Sequence, residues 1–243
     1  MTARLRGFAM TVRPRVDRRG RRRYYRPMPR AILVTEADSR LGAELVRLLV
    51  ERGYSVAAVM DASGRGEAVE SRNPLLLSWN RRSPVSARSV LLSVLNAFET
   101  LDEALILEPP AVTTASLVQA SSAEIDRALD DAKGPLFLLR EVLSTLARTG
   151  RGTVSFVAGG AADGPVEAAT REAFRGLAAA VLAAPGDGIV ANGFQAGPGT
   201  ADEYAAFIDR TLEEKGRKIS GRWFAIPPRG GFLQGVFRTT STP

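Results

Sequence analysis

The chain has 243 residues, of which 45% are hydrophobic and 24% charged, an ordinary composition for one globular domain with a large core. It contains no cysteine and no histidine, which excludes disulfides, thiol nucleophiles, histidine bases and metal sites built on either residue. The net charge of +7 is local, because residues 1–29 hold ten arginines and one acid while the rest is close to neutral.

Residues 1–29 admit three interpretations. They could be a basic arm for nucleic acid or acidic lipid, or an organelle transit peptide, although the segment lacks serine. We expect a disordered extension or an unused upstream start, because blocks of like charge are commonly solvated. The sequence leaves open whether translation begins at Met1, Met10 or Met28. We find no signal peptide and no membrane span, and expect a cytoplasmic protein. Nucleic-acid binding would require the basic-arm interpretation of this tail, which we do not favour.

From residue 30 onward, apolar strand-like runs alternate with helical patterns. This alternation predicts one α/β domain over residues 30–234, with a doubly wound, mostly parallel Rossmann-like sheet, followed by a tail over residues 235–243. Strands are predicted from residue 31 and over residues 54–60, 74–78, 102–107, 153–157, 188–194 and 222–226. Helices are predicted over residues 41–49, 83–98, 122–148, 166–183 and 201–214.

The first turn carries the most informative sequence in the chain. It runs from Thr35 to Gly42 and lies where a Rossmann unit holds the pyrophosphate of a dinucleotide. Such a turn needs glycine where the backbone approaches the phosphates, but Glu36 and Arg40 take the first two glycine places. A carboxylate there repels pyrophosphate, unless Arg40 neutralises Glu36 or reaches a phosphate itself.

The order and spacing of these elements resemble the short-chain dehydrogenase/reductase family over residues 30–233. Thr35 to Gly42 falls where that family has Thr-Gly-x-x-x-Gly-x-Gly. Further matches are Leu101-Asp102, Gly152-Thr153-Val154, Gly188-Ile189 with Asn192 and Gly197, Ser220-Gly221 and Gly230-Gly231. The resemblance implies a Rossmann fold that binds NAD or NADP. The cofactor-binding positions would be Thr35, Ser39, Arg40, Leu41, Gly42 and Asp61.

Asp61 ends the second strand, where an acidic residue holds the adenosine ribose and favours NAD. It can equally be a solvated turn residue, since Asp-Ala-Ser-Gly is ordinary turn chemistry.

The catalytic positions that the resemblance implies carry other residues. The family's serine falls at Gly159, its tyrosine at Glu167, its lysine at Arg171 and its supporting asparagine at Asp131. Its Asn-Asn-Ala-Gly phrase reads Ile106-Leu107-Glu108-Pro109. Glu167 could serve as a weak base, but Arg171 one turn later would hold it ionised. We expect an ordinary i,i+4 ion pair on the surface.

Two functional hypotheses follow. In the first, the chain is a degenerate family member without classical hydride transfer, acting as a binding or scaffold subunit. In the second, it is an active NAD(P)-dependent oxidoreductase with divergent residues. The resemblance also implies a homodimer, or a heteromer with a related subunit, formed through the helices of residues 83–98, 122–148 and 166–183.

Overall fold

A computed structural model describes residues 29–62, 74–110, 116–159, 164–197 and 199–226 of the chain. It also gives the backbone of a short antiparallel pair, β1 (Arg15–Val16) and β2 (Arg22–Arg23). Apart from that pair and residue 29, the predicted extension of residues 1–29 lies outside the described residues. So do the predicted tail of residues 235–243 and the match at Gly230-Gly231.

Seven parallel strands form one sheet, in the spatial order β5-β4-β3-β6-β7-β8-β9. The order reverses between β3 and β6, and open α/β sheets bind ligands at the carboxyl ends of the strands at such a point. The doubly wound Rossmann-like class predicted from the sequence is therefore confirmed. The strands are β3 (Ala31–Val34), β4 (Ser55–Asp61), β5 (Leu75–Trp79), β6 (Glu103–Leu107), β7 (Gly152–Ala158), β8 (Ile189–Gln195) and β9 (Arg222–Ala225).

Helices cover both faces of the sheet and enclose two hydrophobic cores, because a buried parallel sheet must be shielded from water on each side. One core lies under α2, α3 and α4, and the other under α1 and α5. The helices are α1 (Arg40–Glu51), α2 (Pro84–Phe98), α3 (Ser122–Thr149), α4 (Pro165–Ala183) and α5 (Ala201–Thr211). A 3-10 turn (Leu117–Gln119) precedes α3, and a π-helical turn (Leu212–Gly216) follows α5.

Hydroxyl side chains fix where the helices begin. Ser39, Ser83, Ser121 and Thr200 each accept a hydrogen bond from a backbone N–H in the first turn of the helix that follows. Within the described part of the chain, no helix combines the length and apolarity that a bilayer crossing needs.

Candidate functional site

The turn after β3 keeps the shape of a phosphate-binding turn. The Ser39 hydroxyl donates to the Glu36 carbonyl oxygen over 2.7 Å and accepts from the Gly42 N–H over 3.0 Å. A Cβ on Gly42 would lie 2.0 Å from that same carbonyl oxygen, so only glycine fits there. Buried Thr35 accepts from the Leu107 N–H over 2.8 Å and joins the end of β3 to that of β6. The backbone of this turn therefore requires glycine at position 42, and Thr35 and Ser39 hold it by hydrogen bonds.

Glu36 turns its side chain into the protein, where it is 3% exposed. Its backbone has φ 52°, in the left-handed region that glycine occupies most readily. The carboxylate is paired with the guanidinium of Arg81, which follows β5. Of the two alternatives for Arg40, neutralisation of Glu36 is not observed, because Arg81 pairs with that carboxylate while Arg40 lies exposed at the start of α1. Leu41 is half-buried and packs against the core under α1 and α5.

Arg81 gathers three carboxylates at the carboxyl ends of β3, β4 and β5. Besides Glu36, its Nη1 lies 3.0 Å from Asp61 Oδ2 and 2.7 Å from Asp131 Oδ1. We call these four residues the Arg81 cluster. The guanidinium also lies 5.9 Å from the centre of the Trp79 ring, which is buried beneath it. Asp61 is therefore not a simply solvated turn residue, because its carboxylate pairs with Arg81. Its role as a ribose ligand stays a prediction.

The Arg81 cluster holds more negative than positive charge. Burial raises the pKa of Glu36 from 4.5 to about 7, against the opposing effect of Arg81. Burial likewise raises the pKa of Asp131. Three buried polar atoms in the cluster have no hydrogen-bond partner among the described residues: Arg81 Nε, Asp131 Oδ2 and the neighbouring Trp79 Nε1. With one guanidinium against three carboxylates, the cluster has no excess positive charge with which to attract a pyrophosphate.

A second network joins the residues at the family's catalytic positions. Arg171 Nε lies 2.7 Å from Glu108 Oε1, and Arg171 Nη2 lies 2.9 Å from Glu167 Oε1. The other Glu108 oxygen accepts from the Gly159 N–H over 2.7 Å. We call these four residues the Glu108 cluster. Glu167 and Arg171 are each only 9% exposed, so the predicted surface pair is wrong. Arg171 is drawn inward because it also pairs with Glu108 at the end of β6.

The chemistry of the Glu108 cluster differs from that of a tyrosine and lysine pair. One guanidinium holds both carboxylates, and an arginine cannot give up a proton at ordinary pH. A neighbouring phenol, Tyr204, donates to the Ala158 carbonyl oxygen over 3.3 Å. Burial and the charge of Glu108 raise the pKa of Tyr204. A lowered pKa would be needed for it to exchange a proton readily.

No family model and no curated protein matches this sequence, but solved structures do. Levodione reductase superposes with a TM-score of 0.70 at 18% identity, over 81% of this chain and 95% of its own. A 3-ketoacyl-(acyl-carrier-protein) reductase from Brucella melitensis, complexed with NADH, gives 0.70 at 15% identity, over 81% and 96%. A Burkholderia xenovorans protein assigned to the short-chain dehydrogenases/reductases gives 0.69 at 16%, over 82% and 96%.

The chain has the short-chain dehydrogenase/reductase fold. The architecture that the sequence resemblance implied is thereby confirmed. At 15–18% identity, the similarity extends to the fold and not to an activity. In this short-chain dehydrogenase/reductase fold, the Arg81 cluster lies at the turn and strand ends where such sheets bind dinucleotides.

An apolar groove runs between α3 and α4 on the outside of the fold. Its volume is about 550 Å³, and Leu129 and Leu136 on its rim are 60% and 50% exposed. It is lined by Leu129, Ala132, Lys133, Leu136, Ala173 and Leu177. Exposed apolar surface of this kind commonly marks a contact with another protein.

Proposed function

We propose that this protein does not perform classical hydride transfer and acts as a binding or scaffold subunit. The Arg81 cluster carries the proposal. Arg81 binds Asp61 in the place where a ribose hydroxyl would bind, and it binds Glu36 in the turn where the pyrophosphate would lie. A dinucleotide would have to displace a guanidinium that is only 4% exposed and held by three carboxylates.

The Glu108 cluster supports the same proposal. Hydride transfer needs a partner group that gives or takes a proton near neutral pH. Arg171 forms ion pairs with both Glu108 and Glu167, so its guanidinium occupies both carboxylates. The positions at which this fold places its acid–base chemistry thus hold salt bridges.

A second candidate is an NAD(P)-dependent oxidoreductase with a divergent site. The observation that favours it is the fold itself, shared with reductases that include one complexed with NADH. The turn geometry of Thr35, Ser39 and Gly42 also persists. Arg81 would then swing from Glu36 to a cofactor phosphate, and Asp61 would hold the ribose of NAD. NADP is the alternative cofactor, because Arg81 can pair with its extra phosphate.

We further propose that the groove between α3 and α4 contacts a second copy of the chain, or a related subunit. Nucleic-acid binding through the arginines of residues 1–29 stays a prediction, because that segment lies almost wholly outside the described residues.

Calorimetric titration of NADH and NADPH into the full chain separates the two candidates. The subunit proposal predicts no binding at about 1 mM cofactor. The double variant Glu36→Gly with Arg81→Ser should then gain binding, because it removes the ion pair and frees Asp61. Arg82→Ser is the matched control, since Arg82 is the neighbouring arginine and its side chain is 66% exposed.

Either of two results would count against the subunit proposal. Micromolar binding to the unaltered chain would support the oxidoreductase instead. Failure of the folded double variant to bind, with its circular dichroism unchanged, would mean that the Arg81 cluster is not what keeps a dinucleotide out.

A further inference from the structure

A polar cavity lies at the amino ends of the parallel strands, on the edge of the sheet opposite the Arg81 cluster. Its volume is about 540 Å³, within the range of small-molecule sites. Residues at or just before the starts of β3, β6, β7 and β8 line it, together with Arg217 after the π-helical turn. No part of the proposed function uses this cavity.

Three arginines line this cavity: Arg30, Arg151 and Arg217. The carboxylate among the lining residues, Asp102, accepts a hydrogen bond from the Ala31 N–H over 3.0 Å. This hydrogen bond engages one carboxylate oxygen of Asp102 with the backbone. The cavity wall is therefore richer in guanidinium than in carboxylate groups.

Glu103 holds two of the arginines in place. Its side chain is fully buried, with Oε2 lying 2.8 Å from Arg217 Nε and 3.5 Å from Arg30 Nε. Arg217 also pairs with Glu213 and lies 5.5 Å from the centre of the Tyr54 ring. Arginines fixed in this way lose little further freedom when a ligand binds, so the site is preorganised.

Two observations indicate capacity for a ligand. Arg151 is exposed and forms no ion pair with another residue of the described ranges. Arg30 Nε and Glu103 Oε1 are buried, and neither has a hydrogen-bond partner within those ranges. The first supplies an uncommitted cation, and the second leaves one buried donor and one buried acceptor to be satisfied.

We propose that this cavity, the amino-end site, binds a small phosphate-bearing anion. A guanidinium presents parallel N–H donors that match the oxygens of a phosphate. Arg30 and Arg151 supply such donors from the starts of β3 and β7, which flank β6. The cavity is partly open, and its volume of about 540 Å³ matches that of a small-molecule site.

Titration of inorganic pyrophosphate into the full chain tests this proposal. We expect saturable binding with a dissociation constant of about 1 mM or tighter, weakened at least about tenfold by Arg151→Glu. Arg88→Glu is the matched control. Arg88 is exposed on α2, so this substitution makes the same charge reversal away from the cavity. Unchanged circular dichroism of both variants shows that the fold is intact.

Three results would overturn the proposal. The first is that the full chain shows no saturable binding at about 10 mM pyrophosphate. The second is that Arg88→Glu weakens pyrophosphate binding as much as Arg151→Glu does. The third is that Arg151→Glu leaves pyrophosphate binding unchanged. Equal weakening would indicate a general charge effect of this basic chain. Tighter binding of single-stranded RNA than of pyrophosphate, also unaffected by Arg151→Glu, would assign anion binding to residues 1–29. Each result is independent of whether NADH binds.

Discussion

Glu36 adopts a glycine-like backbone in the turn after β3, and its side chain adds an ion pair that glycine could not make. A non-glycine residue with a left-handed backbone costs about 1–2 kcal/mol, so φ 52° is unfavourable in itself. Arg81 offsets part of that cost by pairing with the carboxylate inside the protein. Removing Arg81 would leave buried carboxylates without a counterpart, which is costly, whereas removing Glu36 would leave Arg81 paired with Asp61 and Asp131.

The raised pKa of Glu36 makes stability depend on pH. Its pKa is about 7 in the folded protein against an ordinary value of 4.5, so the folded state binds this proton more tightly. The stabilising contribution is complete below pH 4.5 and is lost as the pH rises to about 7. The free energy of unfolding, measured by urea denaturation, should therefore fall across this window, with Glu36 contributing up to about 3 kcal/mol.

Glu36→Gln isolates this contribution, because glutamine keeps the size of the side chain and does not titrate. The fall between pH 4.5 and 7 should become shallower in the variant. It should not vanish, since burial also raises the pKa values of Asp131 and Glu103. Glu172→Gln on the exposed face of α4 should leave the curve as it was. An identical pH dependence in Glu36→Gln would show that Glu36 does not titrate in this range.

Among the elements, α3 is shaped by its contact with Arg81. Glycine inside a helix normally lowers stability by about 1 kcal/mol relative to alanine. At Gly134, however, a Cβ would lie 2.8 Å from Arg81 Cβ, and three ion pairs prevent that side chain from swinging away. At Gly176 in α4, a Cβ would meet nothing within 4 Å.

These two helical glycines should therefore respond in opposite directions to the same substitution. We expect Gly134→Ala to lower the free energy of unfolding by about 1–3 kcal/mol through overpacking. Gly176→Ala should raise it by up to about 1 kcal/mol. Chemical denaturation measures both. A stabilised Gly134→Ala would mean that Arg81 can move aside at little cost.

The elements could be predicted from the sequence far better than the site. Each strand is a compact apolar run, and serines or threonines mark helix starts, so these signals lie within a few residues of one another. The contacts of Arg81 join residues 45 and 50 positions apart, and that of Arg171 with Glu108 spans 63. The local sequence pattern does not identify partners at such distances. The one local sign of the Arg81 cluster is the position of Arg81 just after β5, at the sheet edge where ligands bind.

At the scale of the whole molecule, the groove between α3 and α4 predicts a dimer. Leu136 is 50% exposed on its rim, and a two-fold interface would bury this residue from both copies. Leu136→Glu would then place two carboxylates in an apolar contact. We expect light scattering at micromolar concentration to show a dimer for the unaltered chain. The variant's dissociation constant should be at least about a hundredfold higher.

Leu76→Glu is the control for this experiment, because Leu76 is 51% exposed on the edge strand β5 and lies away from the groove. It should leave the oligomeric state unchanged. A monomeric unaltered chain would contradict the dimer, and equal dissociation by both variants would place the interface elsewhere.

The indole beneath Arg81 gives the protein an optical reporter of its own. The chain has two tryptophans, of which Trp79 is 1% exposed against the Arg81 cluster and Trp223 is 40% exposed on the edge strand β9. Trp223→Phe would leave Trp79 as the one tryptophan, buried beside a guanidinium and its carboxylates. Its emission would then register proton uptake by Glu36, or departure of Arg81, without any added dye.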